Sequence, residues 1–205
     1  MPNLTVIAGP NGSGKSTLIN KLVKADVHLG TYINADDIAR EYGLVGEAGS
    51  KESQNRADRM RSVCLAAGED FSFETVMSHP SKTEFMLAAR ESGYFLTLYF
   101  VCTSDPAINL SRVRSRAELG GHDVPADRVV ARYKRTLELL PHAIKIAHRT
   151  VLFDNSNPYQ SSRITLKPIA EIRQASAGQF TFNLSDDLPA WCKPAFVTLG
   201  AINRL

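Results

Sequence analysis

The chain is predicted to fold as a three-layer α/β/α unit. A mainly parallel sheet of five strands sits at its centre, with a helical lid and a short β-rich C-terminal extension. Three observations carry this prediction. Short apolar runs alternate with helical patterns along the first three quarters of the sequence, the signature of parallel strands joined by crossover helices. The run Tyr94–Cys102 (YFLTLYFVC) is apolar almost throughout, as a strand covered on both faces must be. A glycine-rich turn, Gly9–Ser16, joins the first strand directly to the first helix.

The elements follow in order. Leu4–Ala8 (LTVIA) is a β-branched run ending at Gly9, and a helical pattern fills about Lys15–Lys24. Thr31–Asn34 is a short strand and Asp36–Tyr42 a short helix capped by an acidic residue. Gly43–Ser50, with three glycines, reads as a loop; Lys51–Ala67 reads as a helix whose polar first half is solvated. Phe71–Val76 is a strand, and Pro80–Ser92 a helix with proline in its first turn. Pro106–Leu119 and Pro125–Leu140 are helices flanking the loop Gly120-Gly121-His122-Asp123-Val124, and Pro141 is expected to kink or restart the second. Thr150–Phe153 is the last core strand. The boundary falls near Pro158: residues 1–157 form the core, with a lid at about 112–135, and 158–205 an extension packed on it, with short strands at Arg163–Ile172 and Gln179–Leu184 that form a hairpin or extend the sheet edge.

Composition narrows the class. With 205 residues, 43% apolar and 22% charged, the chain can bury a core without staples, which excludes disordered and fibrous classes. Lys and Arg number 24 against 21 Asp and Glu, a net charge of +3. That balance argues against a nucleic-acid partner. Cys64, Cys102 and Cys192 form no CxxC or CxxH pair, so reduced thiols and a cytoplasmic location are expected. The segment Met1–Val6 has no secretory pattern, and no apolar run approaches the roughly 18–20 residues of a membrane span; no membrane association is expected.

Gly9-Pro10-Asn11-Gly12-Ser13-Gly14-Lys15-Ser16 satisfies G-x-x-x-x-G-K-[ST] in full, and Thr17 follows it. The chemistry needs these residue types. Glycines let successive backbone N–H groups curl around phosphate oxygens, and the helix that starts there turns its positive end to the anion. Lys15 reaches the terminal phosphates and the Ser16 hydroxyl is a Mg²⁺ ligand. Gly9, Asn11, Gly12, Ser13, Gly14, Lys15, Ser16 and Thr17 are therefore the expected ATP-binding residues. No N-K-x-D guanine motif, no L-S-G-G-Q-like signature and no strand ending in Asp-Glu occurs. A small phosphotransferase, transferring phosphate to a hydroxyl under a basic lid, remains.

Such an enzyme needs a carboxylate at the carboxyl end of a central strand. Asp36, in Asn34-Ala35-Asp36-Asp37 after the second strand, qualifies as the base; capping the following helix is its other available role. Glu74 and Thr75 end the third strand and can bind an acceptor hydroxyl, although Glu74 equally suits a solvated strand end. Arg112, Arg114 and Arg116 precede the Gly-Gly-His loop, and Arg128, Arg132 and Arg135 follow it. Between Arg112 and Arg135 lie seven Lys or Arg against Glu118, Asp123 and Asp127, a local basic segment that either closes on a triphosphate or is simply a solvated face. His122 is expected to shape its loop.

The ordered set GPNGSGKST, INADDIAR, FSFETVMS, R-x-R-x-R with GGHDVP and RY, and FDNS resembles the zeta toxin family of P-loop kinases, its short bacterial members most of all. The resemblance covers about residues 3–156, and nothing from Pro158 onward matches. It implies ATP-dependent phosphorylation of the 3′-hydroxyl of the amino sugar in UDP-N-acetylglucosamine, with Mg²⁺, and an antitoxin protein as partner. It also implies Lys15 and Ser16 on phosphate and Mg²⁺, Asp36 as base, Glu74 and Thr75 on the acceptor, and Arg116 and Arg132 as lid arginines. Two alternatives stay open: a kinase of another small hydroxyl acceptor (nucleoside, sugar or antibiotic), and a non-catalytic nucleotide-gated binding module.

Overall fold

A computed structural model describes residues 1–118, 124–156, 166–176 and 178–201. The Gly120-Gly121-His122-Asp123 loop, Leu119 and the first residues of the strand expected from Arg163 lie outside these. The elements are β1 (Asn3–Ala8), α1 (Lys15–Lys24), β2 (Thr31–Ile33), α2 (Ala35–Glu41), α3 (Gly46–Ala67), β3 (Phe71–Thr75) and α4 (Ser81–Glu91). They continue with β4 (Phe95–Cys102), α5 (Pro106–Glu118), α6 (Ala126–Ile146), β5 (Arg149–Asp154), β6 (Lys167–Ser176), β7 (Gln179–Leu184) and α7 (Lys193–Thr198).

One sheet runs β2-β3-β1-β4-β5-β6-β7. The first five of these are parallel, as expected; β6 and β7 are antiparallel. The expected five-stranded sheet is thus a seven-stranded one. The C-terminal strands extend its edge, because β5 still offers a free ladder that β6 fills from Asp154↔Lys167 to Arg149↔Arg173. The sheet is covered on both faces. Leu4, Val6 and Ala8 point with Phe71, Phe73, Leu98 and Phe100 toward one set of buried side chains, which draws on α3, α4, α6 and α7. The intervening Ile7 joins Leu18, Ile19 and Leu22 of α1 on the other face.

Three helices differ from expectation. α3 begins at Gly46 instead of Lys51; Gly49 is inside it, where a side chain would meet the Leu44 backbone at 2.6 Å. α6 runs through Pro141 to Ile146 without a restart. Proline removes one N–H there, yet Leu140, Ala143, Ile144 and Ile146 are buried in the main core and hold the helix together across the gap. α7 was not foreseen: its apolar residues are few, and what fixes it is tertiary. Phe196 is fully buried, and the Trp191 indole donates to Asp154 Oδ1 at 2.9 Å.

Because Phe196 sits in the same core as the parallel strands, Phe196→Ala is expected to destabilise the whole unit by about 3–5 kcal/mol. Denaturant titration should show this as a single shifted transition; an unchanged midpoint would detach α7 from the core.

Candidate active site

Strand register brings the site together. Ile7 pairs with Glu74 and Ala8 with Thr75, so the acidic end of β3 lies beside the point where β1 opens into the glycine-rich loop. Gly9 N–H donates to the Thr75 carbonyl at 3.3 Å and carries that pairing into the loop. Gly14 then caps α1, and Lys15, Ser16 and Thr17 form its first turn.

Side chains from elements distant in sequence tie the loop down. Asn155, just after β5, donates through Nδ2 to the Ser13 carbonyl at 2.8 Å, and Asn109 of α5 donates to the Asn11 carbonyl at 2.6 Å. Arg112 in turn donates to the Asn155 carbonyl at 3.0 Å, and Arg132 reaches Asn11 Oδ1 at 3.5 Å. These approaches explain two glycines. A Cβ at Gly12 would lie 2.4 Å from the Asn109 carbonyl oxygen, and one at Gly14 would lie 2.3 Å from Asn155 Nδ2. Both glycines also have positive φ, 72° and 103°, which L side chains rarely adopt.

The Lys15 ammonium is buried. It donates to the Gly9 and Pro10 carbonyls at 3.0 and 3.2 Å and stands 3.7 Å from Glu74 Oε1. Burial lowers its pKa; the Glu74 and Asp36 carboxylates oppose that shift, and the Arg116 charge adds to it. Glu74 Oε2 accepts from the Tyr32 hydroxyl and from Asn34 Nδ2, each at 3.4 Å. Burial first, and then Glu74, push the Tyr32 hydroxyl upward, which keeps it a donor. Glu74 is therefore no solvated strand end: it links β2, β3 and the loop.

Asp36 belongs to the first turn of α2, and the cap is not its task. Asn34 is the N-cap, its side chain accepting from the Asp36 N–H at 2.8 Å; this corrects the expected acidic cap. The short amide of Asn34 suits the extended cap backbone, and the Asp36 carboxylate is left exposed on the wall of a cleft.

That cleft has a volume of about 760 Å³, within the ordinary range for small-molecule sites. Lys15, Asp36, Glu74, Thr75, Arg116 and Arg132 all line it, with Asn11 and Gly12. Of the six arginines expected in a lid, Arg116, Arg128 and Arg132 are on its wall, Arg112 donates to the Asn155 carbonyl, and Arg114 and Arg135 are exposed. Burial lowers the Arg132 pKa, and Arg128 and Arg135 lower it further. Thr75 Oγ1 accepts from the Met77 N–H at 3.0 Å; Met77 is buried at φ 55°, a strained conformation for a side chain of its size.

Several wall residues escaped the sequence reading. One edge of the polar half of α3, made of Glu47, Ser50, Lys51, Gln54 and Asn55, borders the cleft, and all of these but Ser50 are exposed, as expected of a solvated face. Arg61 and Lys82 also line it. A helix too polar for a packed face and too long for a loop was the available signal. For Asn155 the signal was the turn-like Asp154-Asn155-Ser156 at a strand end.

The arrangement fits a nucleotide. Among the described residues the Ser13 hydroxyl is buried without a hydrogen-bond partner, and cations outnumber acids on the cleft wall, seven (Lys15, Lys51, Arg61, Lys82, Arg116, Arg128, Arg132) to three (Asp36, Glu47, Glu74). No helix of the described residues is long and apolar enough to cross a membrane.

Comparison with known proteins agrees with this geometry. An uncharacterized protein of Haemophilus influenzae is 29% identical over 126 residues, covering 61% of this chain and 88% of that protein. Among solved structures, AvrRxo1-ORF1:AvrRxo1-ORF2 with sulphate ions superposes with a TM-score of 0.63 at 15% identity, over 88% of this chain. This chain spans only 60% of that structure's length. The PezAT chromosomal toxin-antitoxin system of Streptococcus pneumoniae gives a TM-score of 0.55 at 16% identity, over 75% of this chain and 68% of that one. At these identities the likeness is one of fold, a P-loop α/β unit with a mainly parallel sheet. The AAA domain model matches residues 4–140, from β1 through the lid to the middle of α6, and the chain belongs to that family.

Proposed function

We propose that this chain is an ATP-dependent kinase of the zeta-toxin type, which transfers the γ-phosphate to a hydroxyl of a small molecule. The observation that carries the reading is the meeting of three groups in one cleft: the Lys15 ammonium, the Glu74 carboxylate 3.7 Å from it, and the exposed Asp36 carboxylate. A nucleotide-gated binding module has a use for Lys15 but none for two carboxylates beside the phosphate site. The solution of AvrRxo1-ORF1:-ORF2 with ATP, a fold neighbour at a TM-score of 0.62 and 16% identity, supports the nucleotide.

In this reading the loop from Gly9 to Thr17 cradles the phosphates. Lys15 leaves the Gly9 and Pro10 carbonyls for phosphate oxygen, and Arg116 and Arg132 neutralise charge that develops in transfer. Ser16, an exposed hydroxyl in the first turn of α1, would hold Mg²⁺, a hard cation suited to oxygen donors. The ion, when bound, neutralises charge on the phosphates. Asp36 accepts the acceptor's hydroxyl proton, and Glu74 with Thr75 orients that hydroxyl. UDP-N-acetylglucosamine is the first acceptor to try, an antitoxin protein is the proposed partner, and the cytoplasm is the proposed compartment.

The test is mass spectrometry of a cell extract incubated with the protein and ATP. A metabolite gaining one phosphoryl group is expected, with UDP-N-acetylglucosamine the leading candidate; ATP binding without any phosphorylated product would overturn the kinase reading. Asp36→Asn is expected to lower turnover by about 10²–10⁴-fold, the usual worth of general base catalysis, while ATP affinity stays within twofold (~2-fold) of the parent. Full turnover by this variant would remove Asp36 as base. Gly14→Ala is expected to abolish nucleotide binding in equilibrium dialysis, since the new methyl group would overlap Asn155; retained binding would show that Asn155 can yield.

A further inference from the structure

Two cations on the cleft wall have no part in holding the glycine-rich loop. Arg61 lies in the middle of α3 and Lys82 in the first turn of α4, and both line the cleft. Both pair with one carboxylate, Asp58: Lys82 Nζ at 3.1 Å and Arg61 through Nη2. Asp58 is 53% exposed and is not among the residues of the cleft wall. Both residues therefore border the cavity, while their shared counter-ion is half exposed outside it.

We propose that Arg61 and Lys82 form an oxyanion subsite, which receives a phosphate or carboxylate group carried by the acceptor. The identification of the ligand as the acceptor rests on the kinase reading; the subsite itself rests on the geometry. Three features support it. First, Arg61 is only 4% exposed, and its guanidinium lies 4.9 Å from the Phe73 ring centre and 6.0 Å from that of Phe85. Stacking fixes the plane of the fork, and a fixed fork is suited to bidentate oxyanion binding. A tie between α3 and α4 needs only one cation; two held together raise each other's energy. Burial, and then the Arg61 charge, push the Lys82 ammonium down to about 8, and burial pushes Arg61 down to about 10. An anion between them relieves both costs.

Second, Lys82 sits in the first turn of α4, an 11-residue helix whose positive end adds to the same field. Third, the position suits an acceptor. Arg61 and Lys82 line the same cleft as Asp36, Glu74 and Thr75. An anionic substituent held at Arg61 and Lys82 would anchor a molecule whose hydroxyl lies toward Glu74 and Asp36. Lys15, Arg116 and Arg132 remain for the nucleotide.

Titration calorimetry on the full chain tests this directly. The protein is first saturated with a non-hydrolysable ATP analogue, so that the glycine-rich loop is filled. Pyrophosphate is then titrated in one arm and citrate in another, to separate phosphate from carboxylate. One equivalent of at least one of them is expected to bind. Lys82→Ala should weaken that binding by about tenfold or more, the scale of one charge-assisted contact. Asp58→Asn should strengthen it, because the competing carboxylate is gone; a purely structural ion cluster would give no such gain. Absence of binding in both arms, binding indifferent to Lys82→Ala, or no gain from Asp58→Asn would overturn the subsite. Binding with the expected variant pattern but no phosphorylated metabolite would leave the subsite standing and remove the kinase reading. Transfer to a neutral acceptor without anion binding would do the reverse.

Discussion

A buried ammonium organises this molecule. Lys15 has left water for the floor of the cleft, and burial disfavours its charge. Two loop carbonyls and the Glu74 carboxylate compensate it. The carboxylate is within reach because β1 and β3 are adjacent and in a register that sets Ile7 against Glu74. Tyr32 and Asn34 then hold Glu74 from the neighbouring strand and its cap. The parallel sheet is in this sense the frame for one charge. The same charge is what a triphosphate would meet, so the apo contacts of Lys15 are those that nucleotide binding must exchange.

The helices above the sheet divide into two mechanical groups. From Tyr133 onward α6 is sewn into the main core, through Tyr133, Leu140, Ala143, Ile144 and Ile146. The outer part of α5 and the start of α6 share only a small separate cluster of Val113, Val124 and Val129, with Leu110 against it. Separate packing of this kind is what the proposed lid needs if it is to move as a unit. Its attachment here is polar: Asn109, Arg112 and Arg132 contact the glycine-rich loop or Asn155 beside it.

How far this could be read from residues alone divides along the same line. The loop from Gly9 to Ser16 was legible because its chemistry is local: glycine, lysine and serine at fixed spacing between a strand and a helix. The five parallel strands were legible from composition, and Asp36, Glu74, Arg116 and Arg132 do converge on one cleft. What escaped depends on distance in sequence. Asn155 and Ser13 are 142 residues apart, and no local pattern announces their bond. The polar half of α3 is exposed as expected, but its place beside the cleft was not legible, because polar residues lining a cavity and polar residues facing bulk water have the same composition. The addition of β6 and β7 to the sheet edge was one of the two placements the sequence left open, and it follows from an open ladder on β5, which only the folded order of strands reveals. Capping by Asn34 instead of an aspartate turned on a single residue's offset, within the normal uncertainty of a helix start.

The central claim is that Glu74 holds Lys15 until phosphate displaces it. Nucleotide affinity of Glu74→Gln, measured by titration calorimetry beside the parent chain, tests it most directly. Removing the carboxylate's charge leaves Lys15 buried and less compensated, so ATP should bind more tightly to the variant, by several-fold at constant salt. Unchanged or weaker binding would mean that Glu74 does not compete with the nucleotide for Lys15, and the account built on that pair would fail.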